Sequence, residues 1–239
     1  QPSAQQVTMV EALVSIGDPV WGKSECFGPG IIQVGHLLCY TRPMVATVSL
    51  EGFVAALRAI PEEEFTNRRV LETVTNSRVP ITELDPYLVW KPDRYTRSLI
   101  YRNEVFEVIV LCWNVGQGSP VHDHAGQRCW MALPQGRLEI TNYSYKDGRE
   151  IEFIDAEIVG EHESDVHVDQ CCSVHQITNR CAWCEPAVSL QVYSRPFDSC
   201  YIYDLATGKR ELKPMCFDTY GPLAEAFATA ETAHGALVK

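Results

Sequence analysis

Nowhere do the 239 residues run eighteen apolar positions without a break, so no transmembrane helix is expected. The start, at Gln1 rather than Met, lacks the basic-then-apolar order of a secretory leader. Positive charge is scarce. Lys and Arg number 20 against 31 Asp and Glu, a formal net charge of −11. A nucleic-acid binder would usually show a basic patch, so neither nucleic acid nor a membrane is expected as a partner. No internal repeat or low-complexity segment stands out, which sets repeat architectures aside.

What is present suits a globular enzyme. Hydrophobic residues make up 46% and charged residues 21%, ordinary values for a soluble domain. The length allows one sizeable core, and a monomer is expected. Ten cysteines are many, but their spacing is irregular. Cys39, Cys112 and Cys216 sit in apolar runs, where a free thiol packs as a small hydrophobe. Free thiols point to a reducing, cytoplasmic setting. Cys181-Ala182-Trp183-Cys184 forms a C-x-x-C, yet no second pair and no thioredoxin-like pattern accompanies it. It reads as a loop with two thiols.

Residues 1–45 carry Gly17, Gly22, Gly28 and Gly30 with Pro19 and Pro29, a loop-rich extension. Residues 49–60 read as a helix: Ser49 can cap it, and Phe53, Val54, Leu57 and Ile60 recur at helical spacing. A second helix is expected from near Pro61, with three glutamates against its positive end and Phe65, Val70, Leu71 and Val74 as its apolar positions. From about Tyr95 the pattern changes to strands. Val105 to Trp113 suits a buried strand. Arg137 to Tyr145 and Glu150 to Val159 alternate around Lys146-Asp147-Gly148, a hairpin signal. Further strands are expected over 187–193, 200–203 and 209–217, and residues 221–239 read as a short C-terminal helix or tail. Helices first and short strands after give a mainly β fold, with a helical cap on a sandwich or barrel over residues 46–220.

The chemistry lies between Gly116 and Gly136. There His122-Asp123-His124 precedes Cys129. Residues two apart on a strand share a face, so both imidazoles can grip one ion while Asp123 points the other way. His175, followed at i+4 by Asn179, is a third candidate. Three inward histidines suggest a mononuclear metal site in a small β-barrel. Their neutral rings suit zinc, copper, nickel or iron, and a Cys129 thiolate as fourth ligand would make a closed zinc site.

These spacings resemble the two motifs of the cupin family. The first motif usually has glutamate where Cys129 stands, and Gln170 and Cys172 replace the Pro and Gly expected before the third histidine. Cys129, Tyr95-Thr96-Arg97 and the segment from Glu185 to Ser194 narrow the likeness, over roughly residues 50–220, to thiol dioxygenases and specifically to the cysteine dioxygenase family. That resemblance implies a cupin-type barrel or jelly-roll sandwich with N-terminal helices. It implies Fe(2+) on His122, His124 and His175, with no acidic side chain beside them. It implies that Cys129 forms a thioether with Tyr193 instead of ligating, and that Arg97, with Tyr95, pairs with the substrate carboxylate.

Around these residues, Ser189, Gln191 and Trp113 would form the second rank of the site, and Leu111 would line the pocket. Cys200 matches a cysteine near the pocket mouth. Gln191 departs from the histidine of the mammalian Ser-His-Tyr relay. An amide donates and accepts but takes up no proton at neutral pH. The implied reaction is L-cysteine plus O2 to cysteine sulfinate, a step of cysteine catabolism and taurine biosynthesis. The alternatives are a dioxygenase of another small thiol (3-mercaptopropionate, 2-aminoethanethiol or a peptide's N-terminal cysteine) and a metal-binding cupin without catalysis.

Overall fold

The computed structural model describes residues 45–146, 150–161, 166–169, 174–221 and 223, with the backbone of two short strands before them. Most of the loop-rich extension, Cys39, the turn at Asp147-Gly148, Gln170, Cys172 and the C-terminal helix or tail expected beyond 223 lie outside the described residues. The chain divides into two units, 1–43 and 44–239. In the first, Ile32–Val34 (β1) pairs antiparallel with Leu37–Cys39 (β2).

The second unit opens with Ala46–Thr47 (β3), helix α1 (Leu50–Arg58), helix α2 (Asn67–Asn76) and Ser77–Arg78 (β4), which pairs parallel with β3. Ser49 caps α1 by accepting from Gly52 N at 3.0 Å, as the sequence pattern predicts. The start of α2 differs from expectation. Pro61 leads into one short 3-10 turn over Glu62–Glu64, and α2 begins only after Thr66, whose hydroxyl accepts from Arg69 N. That cap at Thr66 provides a new helix start, so three acidic residues did not suffice to begin the helix at Pro61.

Twelve strands follow: Thr96–Arg102 (β5), Glu107–Trp113 (β6), Val121–His122 (β7), Arg128–Gln135 (β8), Leu138–Lys146 (β9), Glu150–Val159 (β10), Val166–Asp169 (β11), Val174–Thr178 (β12), Ala187–Ser194 (β13), Ser199–Tyr203 (β14), Arg210–Pro214 (β15) and Thr219–Tyr220 (β16). They form two six-stranded sheets, ordered β10-β9-β12-β7-β14-β15 and β11-β8-β13-β6-β5-β16. The pairing is antiparallel except between β5 and β16. The mainly β, two-sheet architecture with N-terminal helices is the one expected. The β9–β10 hairpin is in register from Lys146↔Glu150 onward. Of these twelve, strands β5, β7, β8, β11, β12 and β16 were not delimited from the sequence.

The second sheet is buried on both faces, which explains why β6 reads as an unbroken apolar run. Val108, Val110, Cys112, Val188, Leu190 and Val192 share one core with Phe53, Val54 and Leu57 of α1 and Val70 and Val74 of α2. Each such large apolar side chain contributes about 1.5–3 kcal/mol on burial. Trp130 Nε1 donates to Asn67 Oδ1 at 3.0 Å and ties β8 to α2. The opposite face packs Ile109, Leu111, Trp113, Met131 and Tyr193 against Leu138, Ile140 and Ile177 of the other sheet. By alternation, β13 therefore aims Ser189, Gln191 and Tyr193 into the space between the sheets.

Six cysteines among the described residues are free. Cys112 is buried as expected, but Cys216 is exposed, since it follows the end of β15 instead of lying within a strand. Cys181 and Cys184 are exposed thiols flanking a single 3-10 turn, the loop reading made of them. No described helix is long and apolar enough to cross a membrane.

Candidate metal centre

Two glycines and one asparagine set the frame of the site. Gly116 (φ +82°) turns the chain between β6 and β7, and a Cβ there would meet Cys181 Sγ at 2.8 Å. Gly136 (φ +72°) closes the β8–β9 turn against the Pro186 carbonyl. Asn179 is buried, and its amide donates to the carbonyls of Trp113 (3.1 Å) and Glu185 (2.9 Å). It stitches the end of β12 to the start of β13.

The three histidines lie together. His122 and His175 are paired across β7 and β12, and the ring centroids are 5.4 Å (122–124), 4.7 Å (122–175) and 4.8 Å (124–175) apart. One nitrogen from each falls within 4.8 Å of the others. His124 lies just beyond β7, yet it still faces inward. Asp123 points away, accepting from Tyr201 N at 3.0 Å and the Tyr203 hydroxyl at 2.8 Å. His122 Nδ1 lies 2.9 Å from the Pro120 carbonyl, which holds the proton on Nδ1 and frees Nε2.

Nε2 of His124 and Nε2 of His175 are buried and complete no hydrogen bond. Orphaned donor and acceptor atoms are costly unless another group satisfies them, and a metal ion at the trio does so. Burial first, and then His175, pushes His122 down to about 3; burial likewise holds His124 well below the ordinary histidine value. Both rings are thus neutral near pH 7, the form that binds metal.

Contrary to the expectation that no acidic side chain stands beside the trio, Asp169 does. It is 3% exposed, and its Oδ1 lies 3.0 Å from His175 Nδ1 and 3.0 Å from His167 Nε2. Although burial alone would raise it, the surrounding imidazoles of His175 and His167 hold its carboxyl well below the usual range. His124, Cys129 and Asp169 form a second group whose ligand atoms lie within 4.8 Å of one another. Sequence reasoning missed Asp169. Its place follows from the register of β11 on β8, where it pairs with Cys129.

Cys129 and Tyr193 are directly opposite in the β8–β13 register. Burial pushes both the thiol and the phenol well above their ordinary values. The Tyr193 hydroxyl donates to Gln191 Oε1. Gln191 Nε2 lies 3.3 Å from Ser189 Oγ, which also accepts from Trp113 Nε1 at 3.1 Å. Tyr95 stacks on Trp113 with centroids 4.5 Å apart.

Arg97 is 7% exposed, and its Nε and Nη2 have no partner. Its side chain bonds the Tyr95 hydroxyl, which offsets part of the upward push of burial on that phenol. The charge of Arg97 reaches His122, His124, Cys129 and Tyr193. Its backbone N–H donates to Asp218 at 3.0 Å, next to Lys91 and Arg94. Leu111 joins the same inner core, and Cys200 is buried with its Sγ 3.3 Å from Met215 Sδ. Glu107 was not singled out by its sequence, being hidden in an apolar run. It is fully buried beside Arg102, and burial raises its carboxyl to about 7.

A family profile described as cysteine dioxygenase type I matches residues 44–206. The human protein named cysteine dioxygenase type 1 is 34% identical over 138 residues, covering 57% of this chain and 68% of its own length. The zebrafish (Danio rerio) protein of the same name is 34% identical over 131 residues, covering 52% and 63%. Among solved structures, a protein with a double-stranded β-helix domain from Klebsiella pneumoniae superposes with a TM-score of 0.37 at 17% identity, covering 51% of this chain and 94% of its own.

Proposed function

Because the chain belongs to the cysteine dioxygenase type I family, we propose that it is a non-haem Fe(II) thiol dioxygenase converting L-cysteine and O2 to cysteine sulfinate. The observation that carries this reading is a pair of unsatisfied groups in one barrel. Nε2 of His124, Nε2 of His175, and Nε and Nη2 of Arg97 are all buried without a hydrogen-bond partner. A molecule with a carboxylate at one end and a metal-binding thiolate at the other answers both.

The residues present fit a metal, and His122, His124 and His175 would hold it. A ferrous ion there would supply open positions where thiolate and O2 meet and a path for electrons between them. Arg97 offers a planar fork for the substrate carboxylate, and Tyr95, stacked on Trp113, keeps that fork aimed. Tyr193 keeps its proton, because burial raises its pKa and Gln191 cannot take the proton up. Its phenol therefore acts as a fixed polar group beside the reacting atoms. Both oxygen atoms finish on the substrate sulfur, so no other reductant is consumed. A reducing cytoplasmic setting agrees with the free thiols.

The test is anaerobic loading with Fe(II), then addition of O2 and L-cysteine, with mass spectrometry of the product. Cysteine sulfinate carrying both labelled atoms of 18O2 is expected. Metal-loaded protein with no cysteine-dependent O2 uptake would mean a binding cupin instead. Preference for 3-mercaptopropionate or 2-aminoethanethiol would reassign the substrate.

A further inference from the structure

Asp169 ends β11 directly opposite Cys129 in the antiparallel register, so both side chains share the inward face. Cys129 holds the motif position where the cupin pattern has glutamate. The carboxylate lost from β8 has thus returned on the neighbouring strand. It stands outside the trio rather than within it. Its Oδ1 faces Nδ1 of His175 at 3.0 Å, and its Oδ2 lies 3.8 Å from Nδ1 of His124. With Nδ1 of His122 turned to the Pro120 carbonyl, two of the three rings have an oxygen within hydrogen-bond distance of Nδ1, which leaves their Nε2 atoms for an ion.

Asp169 is itself held. His167 Nε2 lies 3.0 Å from its Oδ1, and His167 Nδ1 lies 2.6 Å from Glu157 Oε1. Glu157 belongs to β10 and His167 to β11, the edge strands of the two sheets. The line Glu157–His167–Asp169–His175 therefore bridges the sheet edges and ends on a histidine of the trio.

We propose that Asp169 is a positioning residue for the metal centre, fixing His175 with Nε2 inward and placing a negative charge beside the ion without ligating it, while His167 and Glu157 hold it in place. The inference rests on reading His122, His124 and His175 as the metal ligands. An oxygen acceptor on Nδ1 fixes the ring and raises its basicity, and loss of such a partner typically weakens metal binding about 10–100-fold.

The test is the affinity of the full chain for Co(II), by anaerobic competition with a chelating dye, together with the cobalt d–d spectrum. Asp169→Asn is expected to bind Co(II) about 10–100-fold more weakly, with shifted bands and unchanged coordination number. His167→Ala, which leaves the carboxylate but removes its holder, should weaken binding less and shift the bands the same way; it carries the test alone if Asp169→Asn fails to fold. Unchanged affinity and spectrum in the folded variants would overturn the proposal, and so would a change of coordination number in Asp169→Asn, which would make Asp169 a ligand. Failure of the unsubstituted protein to bind Co(II), or binding unaltered by His175→Ala, would instead remove the three-histidine reading beneath it.

Discussion

Cys129 and Tyr193 face one another across the β8–β13 ladder, 1% and 2% exposed, as a directly opposed pair. Directly opposed side chains have Cβ atoms about 4.5–5.5 Å apart, so thiol and ring can meet without backbone movement. Turnover with Fe(II), cysteine and O2 should join Sγ to the ring, with loss of two hydrogens to the oxidant. A crosslinked peptide lighter by that amount is expected in protein digested after turnover, and none from Cys129→Ser. Its absence from fully active wild-type protein would rule out the bond.

Arg97→Ala should raise KM for L-cysteine about 10–100-fold, the loss of a charge-assisted hydrogen bond of about 1.5–3 kcal/mol. For 2-aminoethanethiol, which has no carboxylate, KM should barely move. Steady-state O2 uptake with both thiols distinguishes the two cases; equal effects would mean that the guanidinium serves packing alone.

Glu107 makes stability pH-dependent. Burial raises its carboxyl to about 7 from an ordinary value of 4.5. The raised value means that the neutral form is favoured in the fold. Its contribution is complete below about 4.5 and is lost as pH climbs through 7. The groups acting on it are Arg102, Arg97 and Asp198, with Tyr193 beside it in register. Glu107→Gln should therefore gain stability over wild type as pH goes from 4.5 to 8, by on the order of 3 kcal/mol. Urea unfolding at several pH values measures this. Parallel curves would show that the carboxyl titrates normally.

Gly136→Ala should destabilise the fold. At φ +72° a Cβ would sit 2.6 Å from the Pro186 carbonyl oxygen, and the left-handed backbone alone costs about 1–2 kcal/mol. At about 2–4 °C per kcal/mol for a chain of this size, a Tm drop of several degrees is expected. Gly126, also at positive φ but with open space around it, is the control: Gly126→Ala should lower Tm less.

The histidine trio was legible because its spacing along the chain is itself a signal, whereas Arg97 and the Cys129–Tyr193 pair entered only through the resemblance to the cysteine dioxygenase family. Asp169 and Glu107 were not legible. The importance of Asp169 comes from standing opposite Cys129, some forty residues away, a matter of register that local pattern does not encode. Glu107 hides at the edge of an apolar run, where period-two alternation is masked because both faces of β6 are covered. The start of α2 was misread because Pro61 and three glutamates carry the marks of a helix start, while Thr66 holds the hydrogen bond that makes one. Cys216 looked like core from its neighbours, but its strand ends two residues earlier.

Strand β13 carries Val188, Leu190 and Val192 toward the helices and Ser189, Gln191 and Tyr193 toward the histidines. A single backbone thus serves as floor to one chamber and ceiling to the other. Shaving a methyl from the helical layer loosens the packing behind the same rod that carries the phenol.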